Sequence, residues 1–197
     1  DMWHQEHIDM FFNKMIQNMI IFYDANPNRI YLMGYSAGGD GVYQLAPRMA
    51  DRFAAATMMA GHPNDSSPLG LRNIGFSIHM GENDSAYNRN KVALEWGKQL
   101  ANLKKNDPKG YMHQVKIYKG KGHHISHAKR KDLSRPRIDG LDSSGISWIS
   151  NFTRNPYPKK VIWKQDDVTH ERFYWLKVNV PQNNSLIIAS INNQIIT

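Results

Sequence analysis

The chain has 197 residues, of which 41% are hydrophobic and 21% charged, a composition typical of a folded globular protein rather than a disordered or membrane protein. Its formal charge of +8 is compatible with nucleic-acid binding. The basic residues are spread along the chain rather than clustered, however, so we expect no nucleic-acid partner. No apolar run approaches the roughly 20 residues that span a bilayer, so we expect no membrane span, and the lack of cysteine excludes disulfides. The cellular compartment stays open.

Helical and strand-like patterns alternate over the first 120 residues. Apolar residues at spacings of three and four predict an amphipathic helix over residues 3–23, which turn-forming residues end at 24–28. The apolar run 29–34 then predicts a strand buried on both faces of a parallel sheet. Later strands are predicted over 53–60, 74–80 and 115–118, and later helices over 40–51 and 90–105. This alternation predicts an α/β fold with a mostly parallel sheet and flanking helices.

The pattern changes after about residue 148. A segment rich in proline and asparagine follows, and then short strand-like runs separated by polar turns, at 161–163, 173–180, 186–191 and 194–197. We therefore divide the chain into an α/β core, residues 1–153, and a β-strand-rich C-terminal segment, residues 154–197.

The segment Gly34-Tyr35-Ser36-Ala37-Gly38 lies between the first predicted strand and the helix that follows. Gly-x-Ser-x-Gly alone is a weak pattern, but this strand–turn–helix context is that of a nucleophile elbow. Small residues let the strand and helix approach each other, and the serine hydroxyl then projects at the rim of the sheet. Ala37 is the expected backbone N–H donor to an oxyanion.

A serine nucleophile needs a general base, and the base needs an orienting carboxylate. For a serine on this kind of turn, the order along the chain is serine, acid, histidine. Asp84 follows the predicted strand 74–80 and is our choice for the acid, and Glu82 is the alternative.

The histidine of this order is expected after the last strand of the core. His123 follows that strand behind two glycines, which suit a loop that returns an imidazole to the serine; His124 and His127 are the alternatives. The predicted chemistry is attack by Ser36 on an acyl carbonyl, proton transfer through His123 and orientation of its ring by Asp84.

A metal-dependent interpretation would use His123, His124 and His127, or His4 with His7. Neither set has the His-Glu-x-x-His arrangement, no cysteine assists, and there is no phosphate-binding Gly-x-x-x-x-Gly-Lys segment. We expect no metal or organic cofactor.

With these residues placed, the chain resembles the α/β-hydrolase superfamily, in particular its esterase, polyhydroxyalkanoate-depolymerase-like and dienelactone-hydrolase-like branches. The resemblance covers residues 26–123 and is most specific over 27–39. It implies hydrolysis of a small-molecule or polymeric carboxylic ester without a cofactor. Dienelactone hydrolases use a cysteine nucleophile, so Ser36 favours the esterases. Similar serine elbows in prolyl-oligopeptidase-like peptidases keep peptide hydrolysis as an alternative.

The resemblance also carries an expectation about completeness. Members of the superfamily have several strands before the elbow strand, and a loop after an early strand supplies the second oxyanion donor. Here a single predicted helix comes first, so we expect a partial α/β-hydrolase fold whose N-terminal part is missing or supplied by another chain. Loss of one oxyanion donor costs about 100- to 1000-fold in rate. The rival hypothesis is a catalytically impaired structural or interaction subunit of a larger assembly.

Overall fold

Four parallel strands, adjacent in chain order, form the main sheet. The computed structural model describes residues 2–125, 143–193 and 195–197. The strands are β1 (Tyr31–Tyr35), β2 (Ala55–Met59), β3 (Gly75–Gly81) and β4 (His113–Tyr118), paired in the order β1-β2-β3-β4. Every residue of β2 and β3 is buried, as expected for inner strands covered on both faces. The predicted α/β class is confirmed.

Helices lie on both faces of this sheet, and the alternation of side chains along β3 shows which helix covers which face. The helices are α1 (Glu6–Tyr23), α2 (Ala37–Arg48), α3 (Arg89–Asn106) and α4 (Ser143–Ile149). The Phe76 ring contacts Tyr43 of α2 and Trp96 of α3. On the opposite face His79 lies against Gly145 of α4. The result is a three-layer arrangement.

The helix boundaries differ from the sequence prediction in an informative way. Helix α2 begins at Ala37, three residues earlier than predicted, because the chain enters the helix directly after Ser36. Pro47 stands in its last turn, and the helix ends at Arg48. Helix α4 was not predicted. No helix in the described ranges has both the length and the apolar character needed to cross a membrane.

The C-terminal segment is antiparallel. It contains β5 (Lys160–Lys164), the short pair β6 (Arg172–Phe173) and β7 (Leu176–Lys177), then β8 (Leu186–Asn192) and β9 (Ile195–Ile196), with β5, β8 and β9 in one sheet. The single strand predicted over 173–180 is wrong in extent, because Tyr174 has a positive φ of 53° and turns the chain. The confirmed feature is the β-rich character of the segment.

This segment shares a hydrophobic core with the α/β part. Trp163 and Phe173 are each 1% exposed, and their rings stack 5.5 Å apart. Both belong to the same buried cluster as Tyr43 and Phe76 of the α/β part. The boundary between residues 153 and 154 stays a prediction about domain organisation.

A buried ion-pair network joins the two parts of the chain. Both carboxylate oxygens of Asp9 in α1 accept hydrogen bonds from the Arg48 guanidinium, at 2.7 and 2.8 Å, and His170 Nε2 lies 2.7 Å from Asp9 Oδ2. Burial alone would raise the pKa of Asp9, but the hydrogen bonds and charges of His170 and Arg48 outweigh it and hold that pKa below its ordinary value. The network therefore links α1, α2 and the C-terminal segment.

Candidate active site

Ser36 occupies a strained turn between β1 and α2. Its φ of 57° and ψ of −122° lie in a region that residues with a Cβ rarely adopt. The turn is held on both sides: the Ser36 N–H donates to the Met59 carbonyl at 2.9 Å, and the Asp40 N–H donates to the Ser36 carbonyl at 3.0 Å. These bonds hold the residue at the carboxyl end of the sheet.

Close backbone packing around this turn requires glycine at particular positions. A Cβ at Gly34 would lie 2.0 Å from the Gly38 carbonyl oxygen, and one at Gly39 would lie 2.5 Å from the Met59 carbonyl oxygen. A Cβ at Gly38 would meet nothing within 4 Å. The close approach of strand and helix therefore depends on Gly34 and Gly39 rather than on Gly38.

Asp84 follows β3 and is buried, with 3% of its surface exposed. Its backbone is fixed by the bond from its N–H to the Gly81 carbonyl, at 3.2 Å, and its carbonyl accepts from the Asn90 N–H at 3.0 Å. Its Oδ2 lies 2.7 Å from His123 Nδ1. The alternative acid, Glu82, is exposed and instead accepts from the Gly120 N–H at 2.7 Å.

His123 stands between Asp84 and Ser36. Its Nε2 lies 2.8 Å from Ser36 Oγ, and its Nδ1 faces the Asp84 carboxylate. A carboxylate accepts hydrogen bonds, so the neutral tautomer with its proton on Nδ1 suits this geometry and lets Nε2 accept from the serine hydroxyl. His124 is exposed and its Nδ1 contacts the Tyr35 hydroxyl at 3.2 Å. His127 lies outside the described residues.

The loop that carries His123 is held close to the end of β3. The Asn83 N–H donates to the Lys121 carbonyl at 2.7 Å, and a Cβ at Gly81 would lie 2.0 Å from the Gly122 carbonyl oxygen. Sequence reasoning missed Gly81 as a site residue. The signal for it was weak, a glycine at the predicted end of a strand.

Ala37 is the first residue of α2. Its N–H is among the first four of the helix, which have no acceptor within the helix, and it lies at the positive end of the helix dipole. Ala37 is also exposed at the surface beside Ser36. The arrangement can therefore present a backbone donor to negative charge that develops next to Ser36 Oγ.

A separate group of side chains could hold a metal ion. Ligand atoms of His4, Asp166 and Asp167 lie within 4.8 Å of one another. These side chains already pair: His4 contacts Asp167 at 2.9 Å and Asp65 at 3.2 Å, and Asp166 lies 3.5 Å from Arg48. Sequence reasoning missed the two acids because they follow His4 by more than 160 residues.

A parallel sheet with a serine on its strand-to-helix turn, in contact with a histidine that in turn contacts an aspartate from another loop, defines a protein of the α/β-hydrolase type. A model of the dienelactone hydrolase family matches residues 2–145, and the chain belongs to that family. The resemblance stated from the sequence is confirmed.

Two solved esterase structures match parts of the chain, and the first of them is similar to it in fold. One, described as a thermostable esterase, has a TM-score of 0.54 at 19% identity, and the match covers 74% of this chain and 36% of that protein. Another, esterase PE8, has a TM-score of 0.45 at 16% identity, and the match covers 70% of this chain and 57% of that protein. The chain thus spans between about a third and three fifths of these proteins' lengths. No curated protein gives a significant match.

Proposed function

We propose that the chain carries the nucleophile, base and acid of a serine esterase that acts through an acyl-enzyme. The observation that carries this proposal is the continuous hydrogen-bonded chain from the buried Asp84 through His123 to Ser36, with contacts of 2.7 and 2.8 Å. Membership in a hydrolase family supports the same reading. Under this proposal the strained turn at Ser36 is a nucleophile elbow.

The geometry suits the following order of reaction steps. Ser36 Oγ attacks the acyl carbon while its proton passes to His123 Nε2, and Asp84 stabilises the resulting imidazolium. The tetrahedral oxyanion accepts a hydrogen bond from the Ala37 N–H. The carbon–oxygen bond to the alcohol breaks, and the alcohol leaves with the proton from His123. Water then attacks the acyl carbon and gives a proton to His123. The bond between that carbon and Ser36 Oγ breaks as His123 returns the proton to Oγ, and the carboxylic acid leaves.

The substrate class is an acyl ester, either a small molecule or a polymer. Peptide hydrolysis of the prolyl-oligopeptidase-like type is the alternative, because the same three groups can open an amide. Matched ester and anilide substrates with the same acyl group separate the two: hydrolysis of the ester alone identifies an esterase. Comparable rates on both would replace the esterase proposal with the peptidase.

A fluorophosphonate probe tests the nucleophile directly, because it forms a covalent bond to an activated serine. We expect labelling of the wild-type chain, mapped to Ser36 by peptide mass analysis, and its loss in Ser36→Ala. Ser85→Ala is the matched control, since Ser85 is exposed in the loop next to Asp84. Equal labelling of wild type and Ser36→Ala, with equal turnover of an ester panel, would refute the proposal.

A second candidate is a catalytically impaired subunit that interacts with other chains. In the described part of the chain β1 is an edge strand that pairs with β2. Helix α1 also leaves large apolar side chains exposed, among them Phe11 at 60%, Phe22 at 73% and Tyr23 at 80%. This candidate predicts self-association or assembly without labelling of Ser36. Labelling that requires Ser36 in a monomer excludes it.

A further inference from the structure

Tyr35 connects the strand that bears Ser36 with the loop that bears His123. It is the last residue of β1, and its hydroxyl donates to the His123 carbonyl at 2.8 Å. The Tyr35 and His123 rings lie beside each other, with their centroids 5.4 Å apart. The same hydroxyl lies 3.2 Å from His124 Nδ1. One side chain therefore touches both candidate histidines.

Other contacts of the loop tie it to the end of β3. They are the bond from the Gly120 N–H to Glu82, the bond from the Asn83 N–H to the Lys121 carbonyl, and the bond between His123 and Asp84. These bonds set the position of the loop relative to β3. None of these bonds reaches β1, so the distance between the loop and the strand that carries Ser36 depends on other contacts. Among them is a buried cluster that contains Ile125, against which Met33 and Tyr35 of β1 pack.

We propose that Tyr35 is a positioning residue that sets this distance. Its hydroxyl holds the His123 backbone where Nε2 can accept the proton of Ser36 Oγ. The inference rests on the proposed function, because it assigns Tyr35 an effect on the reaction through His123. Since Tyr35 and Ser36 are neighbours in sequence, one strand end places both the nucleophile and its base.

The Tyr35 hydroxyl makes a different kind of hydrogen bond with each of the two histidines. A tyrosine hydroxyl has one proton, and the His123 carbonyl can only accept, so that proton is committed to His123. The contact with His124 then requires its Nδ1 to donate to the tyrosine oxygen. The Tyr35 hydroxyl thus donates to the His123 backbone and accepts from the His124 ring.

The variant Tyr35→Phe tests this role because it keeps the ring and removes the hydroxyl. We expect the rate constant of fluorophosphonate labelling at Ser36 to fall about tenfold, which is the upper end of what one hydrogen bond contributes and less than the ~100-fold loss of a 1 Å misplacement. The matched control is His124→Ala, which leaves the bond to His123 and should label within about twofold of wild type. A Tyr35→Phe rate equal to wild type overturns the inference.

A double-mutant cycle distinguishes positioning from general damage. If Tyr35 acts through His123, Tyr35→Phe should cause no further loss of labelling in a His123→Ala background. A tenfold loss in both backgrounds would overturn the inference in favour of a structural role. So would a Tyr35→Phe chain that does not fold.

A measurement that needs no activity separates this inference from the proposed function. Hydrogen exchange of the backbone amides over residues 120–124 should become about tenfold faster in Tyr35→Phe and unchanged in His124→Ala. Unchanged exchange in Tyr35→Phe overturns the role of Tyr35 even if Ser36 labels normally. Absence of Ser36-dependent labelling in wild type, with faster exchange in the variant, would refute the esterase and leave the loop anchor in place.

Discussion

Gly81 provides a sharp test of how closely the His123 loop is placed. Adding a Cβ there would put it 2.0 Å from the Gly122 carbonyl oxygen and 2.7 Å from the Lys121 carbonyl oxygen. Contacts below 3.0 Å essentially do not occur for a Cβ, so one of the two backbones must move by at least about 1 Å, the difference between 3.0 and 2.0 Å. Strand β3 is buried and paired with both neighbours, whereas Lys121 and Gly122 are only partly buried, so the loop is the part that moves.

The size of the effect follows from the position of His123 next to Gly122. A displacement of about 1 Å carried to the imidazole lengthens the 2.8 Å contact between Nε2 and Ser36 Oγ beyond hydrogen-bond range. A misplacement of about 1 Å costs on the order of 100-fold in rate. We therefore expect kcat/KM of Gly81→Ala to fall about 100-fold, which corresponds to about 2.7 kcal/mol of transition-state stabilisation.

Initial rates of ester hydrolysis and rates of fluorophosphonate labelling measure this loss. Gly122→Ala is the matched control, because a Cβ on that residue of the same loop would meet nothing within 4 Å. It should keep rates within about threefold of wild type. Thermal unfolding of both variants gives the folded fraction. A Gly81→Ala protein with wild-type rates per folded molecule would refute the reasoning, because the loop would then absorb the added methyl group without moving His123.

Two predictions concern stability. Asp9→Asn removes the nearer and more deeply buried of the two carboxylates beside Arg48 and should lower the free energy of unfolding at pH 7 by about 3 kcal/mol, measured in urea. The folded-state pKa of Asp9 is below its ordinary value. Its contribution to stability is therefore complete above the unfolded-state pKa of about 3.9 and is lost as the pH falls through the folded-state pKa. A stability difference between Asp9→Asn and wild type that stays constant down to about pH 2 would contradict this. Trp163→Ala should cost about 3–5 kcal/mol, because Trp163 shares the α/β core. The exposed Tyr157→Ala is its control, and equal stability of the two variants would show that the C-terminal segment does not support the core.

Sequence reasoning found the turn at Ser36 because its causes are local. An apolar run followed at once by Gly34, Ser36 and a helical pattern leaves few alternatives to a strand, a tight turn and a helix. The expected burial of this strand on both faces was wrong, because β1 is an edge strand in the described part of the chain and only Leu32 in it is buried. The same short-range periodicity located β3, β4 and α3 to within about two residues. It failed over 173–180, where the left-handed conformation of Tyr174 breaks the strand, because tyrosine carries no local signal for positive φ.

We chose Asp84 over Glu82 and His123 over His124 from the sequence, but spacing alone does not exclude the alternatives. Asp84 and Glu82 are two residues apart, and His123 and His124 are adjacent, so composition and spacing treat each pair alike. The structure separates them by burial and direction: Asp84 is enclosed and meets His123, whereas Glu82 is exposed and binds a loop amide.

The sequence by itself therefore determined the fold class, the turn at Ser36 and the short list of partners for its hydroxyl. Tertiary structure decided which partners meet it, because the contact of His123 with Ser36 joins residues 87 apart and that with Asp84 joins residues 39 apart. Such contacts depend on strand register and on the close approach of loops at Gly81 and Tyr35. Those distances are set by packing across the sheet, which no local pattern encodes.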